Sequence, residues 1–208
     1  MSYIKKPMDI EVRSFEIIGE EMGPHNFTDR ELSIIKRVIH TTADFEYKDI
    51  TYIREGAIDA ALKTLEKGVT IYTDTKMALS GINKKALEKL NCTVKCYVSD
   101  EEVAKEAKER GVTRSIVGVE KAVSEGVEIF VFGNAPTALF RLKELIEEGK
   151  ANPSFVVAAP IGFVGAAESK EEFENVNIPM ITVRGRKGGS GVAASIMNAL
   201  MYMIVKRD

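Results

Sequence analysis

Residues 128–159 read EIFVFGNAPTALFRLKELIEEGKANPSFVVAA, and this stretch decides the fold. Glu128–Phe132 and Phe155–Ala159 are short, near-continuous apolar runs. Strands covered on both faces of a parallel sheet need such runs, whereas half-exposed strands alternate apolar with polar residues. Between the two runs, Thr137–Glu148 repeats Leu139, Leu142 and Leu145 at helical spacing. Strand, helix and strand together make a βαβ unit. The same alternation extends in both directions. Val69–Thr73 (VTIYT) and Thr93–Val98 (TVKCYV) precede this unit, Met180–Arg184 (MITVR) follows it, and helical spacing recurs at Lys84–Leu90, Ser99–Arg110, Arg114–Ser124 and Glu168–Glu174. The expectation is a three-layer α/β/α domain around a mainly parallel, doubly wound sheet of about five strands.

Three more helices are predicted ahead of the sheet, at Ile10–Met22, Thr28–Ile39 and Arg54–Glu66, and Thr28-x-x-Glu31 is a capping box for the second. A last helix, about Gly191–Val205, is apolar on nearly every face, so it is buried either inside the sandwich or against another subunit. With 208 residues, no repeats and no linker, the chain reads as one domain over 1–208. Its net charge of −2 argues against electrostatic capture of nucleic acid or an anionic membrane surface. The N-terminal MSYIKKPMDI is too polar for an export signal, and the final apolar stretch falls short of the ~20 residues of a membrane span. A soluble, cytoplasmic protein is expected. Cys92 and Cys96 are the only cysteines, which excludes a disulfide framework and a zinc site alike.

In an open parallel sheet, ligands bind beyond the carboxyl ends of the strands. The segments found there are Asp74-Thr75-Lys76-Met77, Gly133-Asn134-Ala135-Pro136, Pro160-Ile161-Gly162-Phe163-Val164-Gly165 and Arg184-Gly185-Arg186-Lys187-Gly188-Gly189-Ser190. Three of the four are rich in glycine, which lets main-chain N–H groups approach a ligand. The last places three cations and Gly-Gly-Ser at the start of a helix, where unpaired amides and the helix dipole attract anions. A solvated basic turn capped by Ser190 would have the same residues. Neither a Walker A sequence nor a Gly-x-Gly-x-x-Gly fingerprint is present, so a nucleotide enzyme has little support. His25 lies in a turn before a helix and reads as a surface residue. His40 ends an apolar helix, where it fits either a dipole interaction or proton transfer. Arg114 opens a helix, a position that disfavours a cation unless something anionic lies nearby.

Taken together, Arg13-Ser14-Phe15, Val38-Ile39-His40, Thr73-Asp74-x-x-Met77, Thr113-Arg114-Ser115, GNAPTAL (133–139), GFVGAAESK (162–170) and RGRxGGS (184–190) resemble the precorrin-8X / cobalt-precorrin-8 methylmutase family. The match runs in order over nearly the whole chain. The resemblance implies a flavodoxin-like homodimer without an organic cofactor, an isomerase of cobalamin biosynthesis that moves a methyl group from C11 to C12 of a corrinoid tetrapyrrole. Any cobalt would arrive inside the substrate. It implies that His40 is the active-site histidine and that Arg13, Ser14, Arg114 and the 184–190 loop, with Arg184, Arg186, Gly188, Gly189 and Ser190, hold the substrate; the strand-end position adds Asp74, Gly133, Asn134, Gly162 and Gly165 as expected contacts, and His40 is expected to act as proton donor. Thr73-Asp74-Thr75-Lys76 with Ser80-Gly81-Ile82 is more similar to the cobalt-early branch, and both metal states stay open at this point. A non-catalytic corrinoid carrier using the same pocket is the alternative.

Overall fold

A computed structural model describes residues 5–206; residues 1–4 and 207–208, the two ends of the expected domain, lie outside the described residues. All five expected strands are present: β2 (Thr70–Thr73), β3 (Thr93–Lys95), β4 (Ile129–Phe132), β5 (Phe155–Ala158) and β6 (Met180–Val183). A sixth, β1 (Thr51–Ile53), precedes them and pairs antiparallel with β6, Thr51 opposite Val183. The sheet order is β1-β6-β5-β4-β2-β3. Its five parallel members, counted along the chain, follow the flavodoxin-like order 2-1-3-4-5, and the direction of winding reverses between β2 and β4.

Strand β1 corrects the expected strand count. Three residues are too few to carry a periodic signal, and the helix predicted from Arg54 begins later, as α4 (Ala57–Leu65) behind Gly56. Arg54 is a clamp instead. Its guanidinium donates to the carbonyls of Glu174, Val176 and Ile178, which fastens the antiparallel edge to the loop before β6.

Successive strand residues point to opposite faces. Ile71, Ile129, Val131, Phe155, Val157 and Ile181 enter one core, beneath α1 (Pro7–Glu21), α2 (Asp29–Thr42), α4, α6 (Lys84–Lys89) and α11 (Ser190–Ile204). Tyr72, Phe130, Phe132, Val156, Ala158 and Met180 enter the other, beneath α7 (Glu101–Arg110), α8 (Arg114–Ser124), α9 (Pro136–Glu147) and α10 (Ala166–Phe173). Two short helices, α3 (Tyr47–Ile50) and α5 (Lys76–Gly81), complete the described chain. The capping box of α2 forms as its sequence predicts, with the Thr28 hydroxyl accepting from the Glu31 amide and the Glu31 carboxylate accepting from the Thr28 amide.

The apolar α11 is covered by this chain itself. It lies against β4 and β5 and is flanked by α2, α4, α5 and α6. Of the two expected ways of burying it, the sandwich is the one found. The outward apolar surface lies on α1 instead, where Met8, Ile10, Val12 and Ile17 are exposed. Among the described residues, no helix is long and apolar enough to cross a membrane.

Candidate active site

The loops that follow β2, β4, β5 and β6 are knitted into one floor. At the point where winding reverses, Asp74 follows β2 and is almost fully buried. Its carboxylate accepts from the amides of Gly133 (2.9 Å), Asn134 (2.8 Å) and Ala135 (2.7 Å), which follow β4. Burial pushes this carboxyl above its ordinary range, and the three amides oppose that shift. Asp74, expected from sequence at the substrate, holds the turn from beneath, its carboxylate engaged by three main-chain amides.

Two glycines are dictated by contact. A Cβ on Gly133 would stand 2.6 Å from the Ser190 Cα, so only glycine lets the β4 and β6 loops meet. A Cβ on Gly188, at φ +151°, would run into the Ala159 carbonyl. Further bonds complete the floor. The hydroxyls of Thr75 and Ser190 are 2.7 Å apart, Gly189 N–H donates to the Ala159 carbonyl, and Gly162 N–H donates to the Arg186 carbonyl. The Tyr47 hydroxyl donates to the Gly188 carbonyl from the opposite side.

Three helices rise from this floor, and none has a side-chain cap. The N-cap of α9 is Ala135, that of α10 is Gly165 and that of α11 is Gly189. Elsewhere α1, α3 and α4 also lack a side-chain cap, whereas Thr28, Thr75, Asn83, Asp100 and Thr113 cap their helices with side-chain oxygens. Ser190, read from sequence as a cap, is the first helical residue and turns its hydroxyl to Thr75. The first helical amides of α10 and α11 thus keep their hydrogen-bonding capacity and partial positive charge at one sheet edge, while at α9 Pro136 has no N–H, the Ala135 amide is held by Asp74 and the Ala138 amide donates to the Ala135 carbonyl.

The cations divide sharply. The Arg184 guanidinium is held by both oxygens of Glu174 (3.0 and 2.8 Å) and stacks on Tyr52. Lys187 pairs with Asp44 and Glu46. Arg13 is exposed and pairs with Glu16 and Glu20 on its own helix, while the Ser14 hydroxyl donates to the Ile10 carbonyl. Among the described residues, Arg114 and Arg186 form no ion pair. Arg114 touches only the Val98 carbonyl, at 3.5 Å, beside the Thr113–Thr137 hydroxyl pair that joins the starts of α8 and α9. Arg186 lies over the Phe163 ring, 5.6 Å from its centroid.

Apolar side chains ring the same loops. Phe163 is 82% exposed, Val164 91% and Met77 72%, values that a protein surface seldom gives to large hydrophobes without a partner. His40 sits at the last turn of α2 and is exposed, its ring stacked on Phe15 at 5.3 Å. The next residue, Thr41, packs against Gly191 in the first turn of α11, so the end of α2 abuts the floor. His25 stacks on Phe27 in the turn before α2, the surface position expected of it. Sequence reading missed Phe163, Tyr47 and Lys170. For Phe163, the signal was a large hydrophobe between two glycines in a loop.

Two concavities of about 340 Å³ lie elsewhere, one between α7 and α8 and one against Phe15, Arg37 and Tyr202.

Comparison with known proteins gives this arrangement a family. The precorrin-8X methylmutase family model matches residues 9–203. The cobalt-precorrin-8 methylmutase of Salmonella typhimurium is 47% identical over 97% of this chain and 98% of its own length, and that of Leptospira interrogans is 45% identical over 96% and 94%. The precorrin-8X methylmutase of Pseudomonas aeruginosa is 35% identical over 96% and 97%. A crystal structure of the precorrin-8X methylmutase of Thermus thermophilus superposes with a TM-score of 0.88 at 37% identity, covering 94% of this chain and 95% of the other. With the family model, the fold and nearly the full length in agreement, this chain belongs to the precorrin-8X methylmutase family.

Proposed function

We propose that this protein is an isomerase of cobalamin biosynthesis that moves the C11 methyl group of cobalt-precorrin-8 to C12, giving cobyrinic acid. One observation carries the reading. Three uncapped helix starts and two arginines without ion pairs face one sheet edge, and a histidine stands at its border. A flat macrocycle fringed with carboxylates fits that edge. The amides and guanidinium groups take the rim, and Phe163, Val164 and Met77 meet the apolar face. The cobalt form is favoured because the two cobalt-precorrin-8 methylmutases above are 45–47% identical to this chain, against 35–37% for the two precorrin-8X methylmutases.

The reaction is an intramolecular 1,5-shift, so it needs no nucleophile and no external redox partner, and the chain requires no organic cofactor. His40 donates a proton or a strong hydrogen bond to a ring nitrogen of the tetrapyrrole. Withdrawing electron density there lowers the barrier to migration, and the proton returns when the product has formed. Incubating the purified protein with cobalt-precorrin-8 and following the absorption change to cobyrinic acid tests the reading. No conversion, and no coloured product complex surviving desalting, would overturn it.

Arg114 and Arg186 anchor substrate carboxylates. Each charge-assisted bond contributes ~1.5–3 kcal/mol net. Arg114→Ala or Arg186→Ala should therefore raise the product Kd by at least tenfold while changing single-turnover rates at saturation far less. Unchanged affinity with collapsed turnover would reverse the assignment.

The working unit is a C2 homodimer. The apolar face of α1 together with the exposed 161–164 loop offers a second copy something to cover. Sedimentation at micromolar concentration should give twice the chain mass of 22.9 kDa, and a stable monomer would refute this. A soluble, cytoplasmic location accords with such a biosynthetic role.

A further inference from the structure

Lys170, on α10, is fully buried, and its ammonium donates to one group, the Lys187 carbonyl, at 2.8 Å. That carbonyl belongs to the loop joining β6 to α11. No carboxylate pairs with Lys170 among the described residues. The carboxylates around it are engaged elsewhere or exposed: Glu172 with Lys143 of α9, Glu174 with Arg184, Asp44 and Glu46 with Lys187, while Glu168 and Glu171 of its own helix face solvent. An unpaired buried charge is costly, and lysines are rarely buried without a partner. Packing alone gives no reason for it, since a methionine would fill the volume at lower cost.

We infer that Lys170 is the buried counter-charge of the site, compensated when a carboxylate of the tetrapyrrole seats on the 184–190 loop above it. The inference rests on the proposed substrate class and adds a positioning residue to it. The ammonium holds the Lys187 peptide from below, and its charge adds to that of the uncapped α11 amides on the same loop. The loop is thus both shaped and made electropositive before the ligand arrives. Glycine supplies the approach, and a lysine hidden beneath supplies charge that solvent does not screen.

Burial pushes the Lys170 ammonium down to about 8. A seated carboxylate stabilises the charged form, so binding draws a proton onto Lys170 and weakens as pH rises through 8. The substrate carboxylates are fully ionised there. The hydrogen bond to Glu174 raises the Arg184 guanidinium further, and burial holds the neighbouring Tyr47 hydroxyl above its ordinary range. The sign for stability is opposite. The unfolded chain holds this proton up to ~10.4, so from about 8 upward the Lys170 contribution to stability rises with pH.

The test compares equilibrium binding of cobyrinic acid to the wild-type protein and to Lys170→Met, at pH 7 and pH 9, beside thermal melts. For Lys170→Met, the expected result is a melting midpoint at pH 7 equal to or above that of wild type, with a Kd about tenfold weaker. Wild-type affinity should fall between pH 7 and 9, and the Lys170→Met affinity should stay level. A purely structural lysine would lower midpoint and affinity together. Should the variant fail to fold, the wild-type pH series decides alone. Tight wild-type binding that is indifferent to pH and to the substitution overturns the inference and leaves the proposed function standing. Absence of wild-type binding at both pH values overturns that function, and the inference with it.

Discussion

Replacing His40 with alanine is expected to slow single-turnover methyl migration by ~10²–10⁴-fold at saturating substrate, the usual contribution of a positioned general acid. Product affinity should change only a few-fold, because the carboxylate anchors lie on other elements. The fold should survive. His40 is exposed and its one described ring contact is the stack on Phe15, worth ~0.5–1.5 kcal/mol. A rapid-quench measurement on the preformed complex separates these quantities. Near-normal turnover in His40→Ala would remove the proton donor from the mechanism and leave the methyl shift to the anchoring residues.

The second large effect belongs to Asp74 and appears first in stability. Asp74→Ala removes the acceptor of three main-chain amides at once, two of them on the buried residues Gly133 and Ala135. Each buried donor left unpaired costs ~1–3 kcal/mol, so a loss of about 4 kcal/mol is expected. For a domain of this size that lowers the thermal midpoint by about 10 °C. Asp74→Asn should fall between, because one amide oxygen can still accept while the new NH2 group faces a donor. Below its lowered midpoint, Asp74→Ala should also bind the product more weakly, since the turn it held carries the start of α9. A wild-type melting curve for Asp74→Ala would show that the turn holds itself.

The two effects fall on residues that differ in how far sequence could read them. His40 announces itself through chemistry: one imidazole at the end of an apolar helix, in a chain with two histidines. Asp74 announces only its position after a strand. That places it at the ligand edge, but whether a carboxylate there faces out or supports a neighbouring loop depends on the strand order. Once β4 lies beside β2, the carboxylate is within reach of three amides sixty residues away and is better used underneath. The arginines teach the same lesson. Arg184 and Arg186 stand two residues apart in one loop, yet Glu174 claims the first and leaves the second to stack on Phe163. Sequence spacing carries no information on which carboxylate lies across a sheet edge.

By itself, the sequence determined the βαβ alternation, the five parallel strands, the glycine-rich edge and the place of the capping box, because each depends on a residue's near neighbours and on burial averaged over one face. Only the tertiary structure decided the strand order, the three-residue antiparallel edge strand, which helix leaves apolar surface outside, and which charges are paired. These depend on groups that are far apart along the chain and meet only when the sheet closes. Lys170 shows the division most plainly: one lysine in a helix of mixed charges, made singular by what the folded chain puts around it and by what it leaves out.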